Sequence, residues 1–200
     1  MLIPVTVGID EVGRGALAGP LTVGVASLYG LPANWLAELL TVIRIPSLRD
    51  SKKLSRLQRD RAFSYLESRL LWKTGEVEAF EIDYFGLSLA TDLAAERALA
   101  SLKKQSFLPK LILADAGLHH PFERTVSTEH FIKGDEKIPE ITLASIMAKV
   151  TRDRQMSSYA TVFPEFGFER NVGYGTSHHC RAIKEFGVIP LHRMSFLKSI

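Results

Sequence analysis

The chain has 200 residues, of which 46% are hydrophobic and 24% are charged, and its formal net charge is +3. These proportions are typical of a folded globular domain and exclude both a disordered chain and a collagen-like one. The lone cysteine, Cys180, excludes an internal disulfide framework.

The first residues place no basic segment ahead of their short apolar run, which argues against a secretory signal peptide. No apolar run reaches the roughly 18 residues that a membrane-spanning helix needs. We therefore expect a cytoplasmic protein without membrane association, and a single domain over residues 1–200.

Alternating apolar residues open the chain and predict two strands. Val5, Val7 and Ile9 belong to the first strand, and a similar pattern from Leu21 to Ser27 marks the second. Glycine and proline residues between the two runs favour a turn. A hairpin is therefore expected at the start of the fold.

Helical and extended patterns alternate along the rest of the chain. We predict helices over residues 32–44, 54–71, 83–104, 140–159 and 177–186, the second of them capped by Ser55. We predict strands over residues 75–80, 111–114 and 125–132. A hairpin followed by this alternation indicates a mixed sheet covered by helices, an α/β or α+β domain of three layers.

Four acidic residues stand where a hydrophobic core would not need them. Asp10 and Glu11 end the first strand, Asp115 follows the strand at 111–114, and Asp135 lies in a loop. Neighbouring side chains on a strand point to opposite faces, so Asp10 and Glu11 can share a site only if the strand ends or bulges there. Turn formation or helix capping is the alternative explanation for these acids.

A cluster of these acids would require a cation. Two like charges about 4 Å apart repel by roughly 4 kcal/mol at an effective dielectric constant near 20. Oxygen ligands favour Mg²⁺ or Mn²⁺, whereas zinc prefers histidine and cysteine, and residues 178–180 lie in a predicted helix where neighbours diverge. We assign Asp153 to an ion pair with Lys149, four residues earlier, and leave it outside the catalytic set.

Other segments could contact a ligand. The turn formed by Gly13, Arg14 and Gly15 can present backbone N–H groups, but the sequence lacks the nucleotide P-loop and the dinucleotide-binding glycine pattern. Tyr174 lies between two glycines and is either a buried turn residue or a stacking surface for a sugar or base. Six basic residues lie in the run from Arg49 to Arg61. They belong either to a solvated helix face or to a surface that contacts nucleic-acid phosphates.

Seven segments, taken in order, resemble the bacterial ribonuclease HII family, the type 2 ribonucleases H. They are GIDEVGRGALAGP at 8–20, DSKKLS at 50–55, EIDYFGLSLAT at 81–91, LILADAG at 111–117, KGDEKIPEITLASIMAKVTRDRQM at 133–156, GYGTSHH at 173–179 and HRMSF at 192–196. The ordered set covers almost the whole chain and is highly specific.

The resemblance implies a ribonuclease H-like fold, a mixed five-stranded sheet flanked by helices. It also implies an endonuclease that hydrolyses the RNA strand of RNA/DNA hybrids and nicks duplex DNA 5′ of an embedded ribonucleotide, leaving a 3′-hydroxyl and a 5′-phosphate. Primer removal and ribonucleotide excision repair are the expected roles. We expect a monomer, and the sequence indicates no protein partner.

The resemblance also assigns residues. A two-metal site for Mg²⁺ or Mn²⁺ would be held by Asp10, Glu11, Asp115 and Asp135. The 2′-hydroxyl at the RNA–DNA junction would be read by Gly13, Arg14 and Gly15, the following deoxyribose would pack on Tyr174, and the nucleic-acid backbone would pass near Ser51, Lys52 and Lys53.

The chain departs from the family pattern at several positions, which are Phe85, Ala114, Ala116, the run 139–141 and the pair Asn171 and Val172. The last departure removes a positive charge beside the expected junction site.

Two other classes of protein remain open on the residues alone. A non-catalytic nucleic-acid-binding module would explain the basic run, and a metal-dependent phosphatase for small substrates would explain the acids.

Overall fold

Five strands form one mixed sheet in the order β3-β2-β1-β4-β5. The computed structural model describes residues 2–48, 54–116, 118 and 126–198. The strands are β1 (Ile3–Val12), β2 (Leu21–Ser27), β3 (Leu71–Val77), β4 (Phe107–Asp115) and β5 (Ser127–Phe131). β2 runs antiparallel to β1 and β3, whereas β4 runs parallel to β1 and β5. The predicted hairpin and mixed sheet are confirmed.

Helices cover both faces of this sheet. They are α1 (Trp35–Ile43), α2 (Arg56–Leu66), α3 (Ala79–Phe85), α4 (Leu87–Lys104), α5 (Pro139–Val162), α6 (Phe168–Asn171) and α7 (Ser177–Phe186). α4 packs on one face of the sheet, and α5 packs on the other together with α1 and α2. A third apolar cluster joins the end of α5 to α7. None of the helices in the described ranges is long and apolar enough to cross a membrane.

Two strand glycines let α5 lie directly on the sheet. A Cβ atom at Gly24 would lie 2.4 Å from the carbonyl oxygen of Ala144, and one at Gly8 would lie 2.1 Å from the backbone of Glu140. Any side chain at either position would hold the helix away from the strands. This close approach carries the middle of α5, including Ser145 and Lys149, to the end of β1.

Some predicted boundaries were wrong, and each has a local cause. The helix predicted over 54–71 begins after a capping box at Ser55, as expected, but ends at Leu66, and β3 starts at Leu71 rather than at residue 75. The helix predicted over 83–104 is two helices, because Gly86 adopts φ +76° between them. α3 begins earlier than expected because Glu78 forms a capping box with Glu81.

Candidate active site

The cleft that is lined by three of the four predicted acids opens where β1 and β4 part, and the fourth, Asp135, is buried and is not among its lining residues. β1 pairs with β4 as far as Ile9 and Ala114, and then continues against β2 as far as Val12. The cleft has a volume of about 280 Å³ and is lined by Asp10, Glu11, Val12, Arg59, Asp115, Ser145, Ile146 and Lys149. The expected strand end or bulge at Asp10 was wrong, because the register shift lies between Val5 and Thr6. Both acids line the cleft because β4 ends beside them.

Asp10 has the most strongly perturbed carboxyl group of this cleft. Burial raises the pKa of Asp10 to about 8, and a hydrogen bond from Ser145 partly opposes that rise. The negative charges of Glu11, Asp115 and Asp135 contribute to the same rise, less than burial does. The Asp10 carboxylate also accepts the N–H of Glu11 at 2.9 Å. The other three predicted acids are therefore close enough to Asp10 to affect its charge.

Glu11 lies beside Asp10 and is also largely buried. Burial raises the pKa of Glu11, whereas the Arg14 guanidinium, 3.6 Å from Glu11 Oε1, lowers it. Glu11 Oε2 is buried and accepts no hydrogen bond from the residues that the structure describes. A buried carboxylate oxygen in this condition calls for a ligand.

Asp115 and Asp135 are joined through a single 3₁₀ turn, Gly134–Glu136. Asp115, the last residue of β4, accepts the N–H of Gly134 at 2.8 Å. The hydroxyl of Thr142 in α5 donates to the carbonyl oxygen of Asp135 at 2.6 Å. Asp135 is fully buried. The two contacts fix the turn between the end of β4 and the start of α5.

The chemistry of these side chains suits a hard divalent cation. All four are oxygen donors, and their mutual repulsion is relieved by positive charge. Within the described ranges, no three acids, histidines or cysteines already meet as a ligand cluster. Two of the carboxylates are instead engaged locally, Asp10 with the N–H of Glu11 and Asp115 with the N–H of Gly134. Glu11 Oε2, by contrast, is buried and accepts no hydrogen bond from the described residues, so it is an oxygen that a cation could use.

The turn at Gly13, Arg14 and Gly15 is held from below by two buried arginines. Gly13 adopts φ +86°, and a Cβ atom there would lie 2.2 Å from the guanidinium of Arg152. Arg193 donates to the carbonyl oxygen of Arg14 at 3.0 Å. Gly15 has open space beside it. The backbone of this turn is thus fixed at the rim of the site.

Arg152 and Arg193 are fully buried, and every hydrogen bond recorded for them goes to a backbone carbonyl. Arg152 donates to Ala18, Pro20 and Val172, and Arg193 donates to Arg14 and Gly19. Burial lowers the pKa of both, that of Arg193 to about 9. Only a planar guanidinium can supply so many donors from one side chain. The sequence motifs contain both arginines, but nothing in their spacing indicated this role.

Tyr174 lies next to Arg152. Its side chain is 36% exposed, so the alternative of a buried turn tyrosine is wrong. Arg152 and Lys149 lie 5.8 Å and 6.0 Å from its ring centroid. Val172, two residues before Tyr174, adopts φ 43°, an unusual conformation for a β-branched residue. Asn171, one of the departures from the family pattern, supports the turn by accepting the N–H of Gly173 at 2.8 Å.

Two cations line the cleft around one carboxylate. Lys149 lies 2.8 Å from Asp153, which confirms the predicted ion pair, and Arg59 lies 3.9 Å from the same side chain. Among the described residues of the basic run, Arg59 lines the cleft, whereas Arg56 donates to Glu169 and Ser157 elsewhere. The predicted contacts Ser51, Lys52 and Lys53 lie outside the described residues.

Several residues in and near the site have no signal in the sequence. Ser145 touches Asp10, yet a serine on a helix gives no distinguishing pattern. His179, considered only as a weak zinc ligand, instead contacts His192. The two histidines belong to separate sequence segments, 173–179 and 192–196. Their contact could not be predicted because it depends on both being buried at the same place in the fold.

Comparison with known proteins gives a consistent result. A family model described as Ribonuclease HII matches residues 7–199. The ribonuclease HII of Clostridioides difficile is 41% identical over 194 residues, which are 96% of this chain and 70% of that protein. That of Rickettsia bellii is 37% identical over 193 residues, 96% of this chain and 90% of the other. The crystal structure of ribonuclease H2 from Pyrococcus horikoshii superimposes with a TM-score of 0.74 at 27% identity, covering 95% of this chain and 92% of that one.

Proposed function

The chain belongs to the ribonuclease HII family, and from that premise we propose that it nicks duplex DNA on the 5′ side of an embedded ribonucleotide. It has the ribonuclease H-like fold and is a ribonuclease H enzyme, an endonuclease for RNA/DNA hybrids. The finer activity rests on how its own residues are arranged.

The gathering of largely buried acids around Asp10 is the observation that carries the proposal, and the raised pKa of Asp10, about 8, agrees with it. Three separate segments contribute the acids, since Asp10 and Glu11 belong to β1, Asp115 ends β4 and Asp135 lies in the 3₁₀ turn. A fold gathers buried carboxylates at this electrostatic cost where a cation offsets their charge. A polyanionic substrate would otherwise be repelled from the same cleft.

We assign a two-metal site to Asp10, Glu11, Asp115 and Asp135, with Mg²⁺ or Mn²⁺ as the ions. Held by these four residues, the ions would supply activation of the attacking water and charge neutralisation at the phosphate and the departing 3′ oxygen, and the products would carry a 3′-hydroxyl and a 5′-phosphate. Ser145 orients Asp10 by its hydrogen bond. Asp115 anchors the turn that carries Asp135.

Substrate reading is assigned to the rim of the cleft. The fixed backbone of Gly13, Arg14 and Gly15 would recognise the 2′-hydroxyl, the group that distinguishes RNA from DNA. The exposed ring of Tyr174 would pack on the deoxyribose that follows the ribonucleotide. Ser51, Lys52 and Lys53 would lie along the phosphate backbone.

One cleavage assay tests the proposal. A DNA duplex with a single embedded ribonucleotide should be cut 5′ of that nucleotide in the presence of Mg²⁺ or Mn²⁺, and an all-DNA duplex of the same sequence should remain intact. Asp10→Asn serves as the matched inactive control. Binding without cutting would indicate a nucleic-acid-binding module, and release of phosphate from small esters would indicate a phosphatase.

We also propose the cellular setting that follows from this activity. The chain would act as a monomer in the cytoplasm, as one catalytic domain over residues 1–200, in primer removal and ribonucleotide excision repair. α5 supports a single domain because it contributes residues to two of the three apolar clusters. Light scattering coupled to gel filtration would measure the mass, and a dimer would contradict the expected monomer.

A further inference from the structure

Two histidines form a buried pair beneath the turn that carries Tyr174. His179 Nε2 and His192 Nε2 are 3.1 Å apart, and both residues are almost fully buried. The rings of Phe166 and Phe168 pack around them, at 5.0 Å from His192 and 5.4 Å from His179 respectively. The pair lies outside the acidic cleft and takes no part in the proposed chemistry.

The outer contacts of the pair determine where its protons lie. His192 Nδ1 must accept, because its partner at 2.9 Å is the N–H of Ile189. Its Nε2 therefore carries the proton and donates to His179 Nε2. His179 Nδ1 then carries the second proton and donates to the carbonyl oxygen of Tyr174 at 3.0 Å. One orientation of two neutral rings satisfies all three contacts.

Residues 191–193, which include His192, also hold residues 17–19, just beyond the Gly13–Gly15 turn. Leu191 accepts the N–H of Gly19, His192 forms a β-bridge with Ala18, and the N–H of Arg193 donates to Leu17. Gly173 accepts the N–H groups of Leu17 and Ala18. Residues 17–19, 173 and 191–193 thus form one hydrogen-bonded unit, which we call the brace.

We propose that His179 and His192 are positioning residues that set Tyr174, through the brace, relative to the Gly13–Gly15 turn and thereby determine the preference for an RNA–DNA junction. The inference rests on the proposed junction-reading role of Tyr174. It adds that the preference depends on a relay of two neutral imidazoles that never touches the substrate.

The first test is spectroscopic and independent of activity. Long-range ¹H–¹⁵N spectra of the imidazoles should show His192 as the Nε2–H tautomer and His179 as the Nδ1–H tautomer in the folded protein. The reverse pair of tautomers would overturn the relay. So would rings that exchange freely between tautomers.

The second test compares kcat/KM on a single-ribonucleotide duplex with kcat/KM on a long RNA/DNA hybrid. His192→Phe keeps a ring but loses both hydrogen bonds, and we expect it to lower the junction-to-hybrid ratio about tenfold. His192→Gln places an amide donor near the position of Nε2 and should restore most of the ratio. Ile183→Ala creates a cavity in the apolar cluster that contains Phe166 and Phe168, and it should lower thermal stability while leaving the ratio unchanged.

Tyr174→Ala, measured in parallel, distinguishes failure of the proposed role of Tyr174 from failure of the histidine relay. An unchanged ratio in Tyr174→Ala would overturn the role of Tyr174 and the relay with it. A lowered ratio in Tyr174→Ala together with an unchanged ratio in His192→Phe would overturn the relay alone. Equal loss in His192→Phe and Ile183→Ala would reduce the histidines to ordinary core residues.

Discussion

At the scale of single residues, the sequence located the acids but not their environment. Asp10, Glu11 and Asp115 could be found because each follows an apolar run that has to be a strand. Ser145, by contrast, reaches Asp10 only because Gly8 and Gly24 bring α5 against the sheet. That approach depends on contacts between segments more than a hundred residues apart, which local patterns do not record.

Replacing Asp10 or Asp115 by asparagine should leave the fold nearly intact and lower cleavage by several orders of magnitude. The substitution keeps the shape of the side chain and removes a charge that the proposed metal site needs. Single-turnover rates on the single-ribonucleotide duplex measure the effect, with circular dichroism as the control for folding. Activity within tenfold of the unmodified enzyme would contradict the metal assignment.

Tyr174→Ala should remove a stacking contact of roughly 1–3 kcal/mol. Cutting at a junction should then fall by about one to two orders of magnitude, at roughly tenfold per 1.4 kcal/mol. Long hybrids, which offer no deoxyribose at most sites, should lose less. The ratio of the two rates is the measurement, and an equal fall on both substrates would make the tyrosine structural.

Replacing Arg14 should weaken the preference for ribonucleotides over DNA.

At the scale of secondary structure elements, the sequence predicted the type of each long element better than its ends. The helix at 177–186 was placed correctly because Thr176 caps it and Gly187 ends it. The break at Gly86 was not resolved, since one glycine can be tolerated within a helix. The boundary between α2 and β3 was missed because Leu70, which lies beyond the helix, is buried and follows Leu66 by four residues. That spacing continues the apolar pattern of a helix.

The contact between α5 and the sheet predicts a stability effect. Gly24→Ala would force a Cβ atom to within 2.4 Å of the backbone of α5, and overpacking of this kind costs about 1–3 kcal/mol. Gly15→Ala, which meets open space, is the matched control for unfolding free energy. Chemical denaturation measures both variants. Equal stability of the two would show that α5 can shift without cost.

Asp153→Asn should cost stability more than turnover. It leaves Lys149 and Arg59 without their carboxylate, and loss of one partner of a largely buried charged contact costs about 1–3 kcal/mol. Urea denaturation and single-turnover cleavage, measured on the same preparation, separate the two effects. A variant that folds normally yet does not cut would mean that Asp153, rather than Asp135, is the fourth metal ligand.

At the scale of the whole molecule, two buried groups give the metal-free protein opposite responses to pH. The pKa of Asp10 is raised from 3.8 to about 8, so its contribution to stability is greatest at acid pH and is lost as pH rises through about 8. The pKa of His192 is lowered from 6.5 to about 4, mainly by burial and then by His179. Its contribution is present above pH 6.5 and is lost as pH falls toward about 4.

We therefore expect the melting temperature of the metal-free protein to rise as pH falls from 8 to 6.5, and then to level off or decline toward pH 4. Asp10→Asn should flatten the upper part of this profile, and His192→Gln should flatten the lower part. Differential scanning calorimetry in the presence of a chelator measures the three profiles. A profile that Asp10→Asn leaves unchanged would contradict the origin assigned to its upper part.

The brace also has a consequence for the order of folding. Arg193 donates to Gly19 across 174 positions of the chain, whereas β1 and β2 meet through a short turn. Contacts that close very long loops form late, because chain entropy opposes them until other segments have assembled. A newly made chain can thus gather its first hairpin early, but it cannot lock the Gly13–Gly15 turn and Tyr174 until its C-terminal segment arrives. If these residues read the substrate as proposed, selectivity for an RNA–DNA junction would be the last property that folding confers.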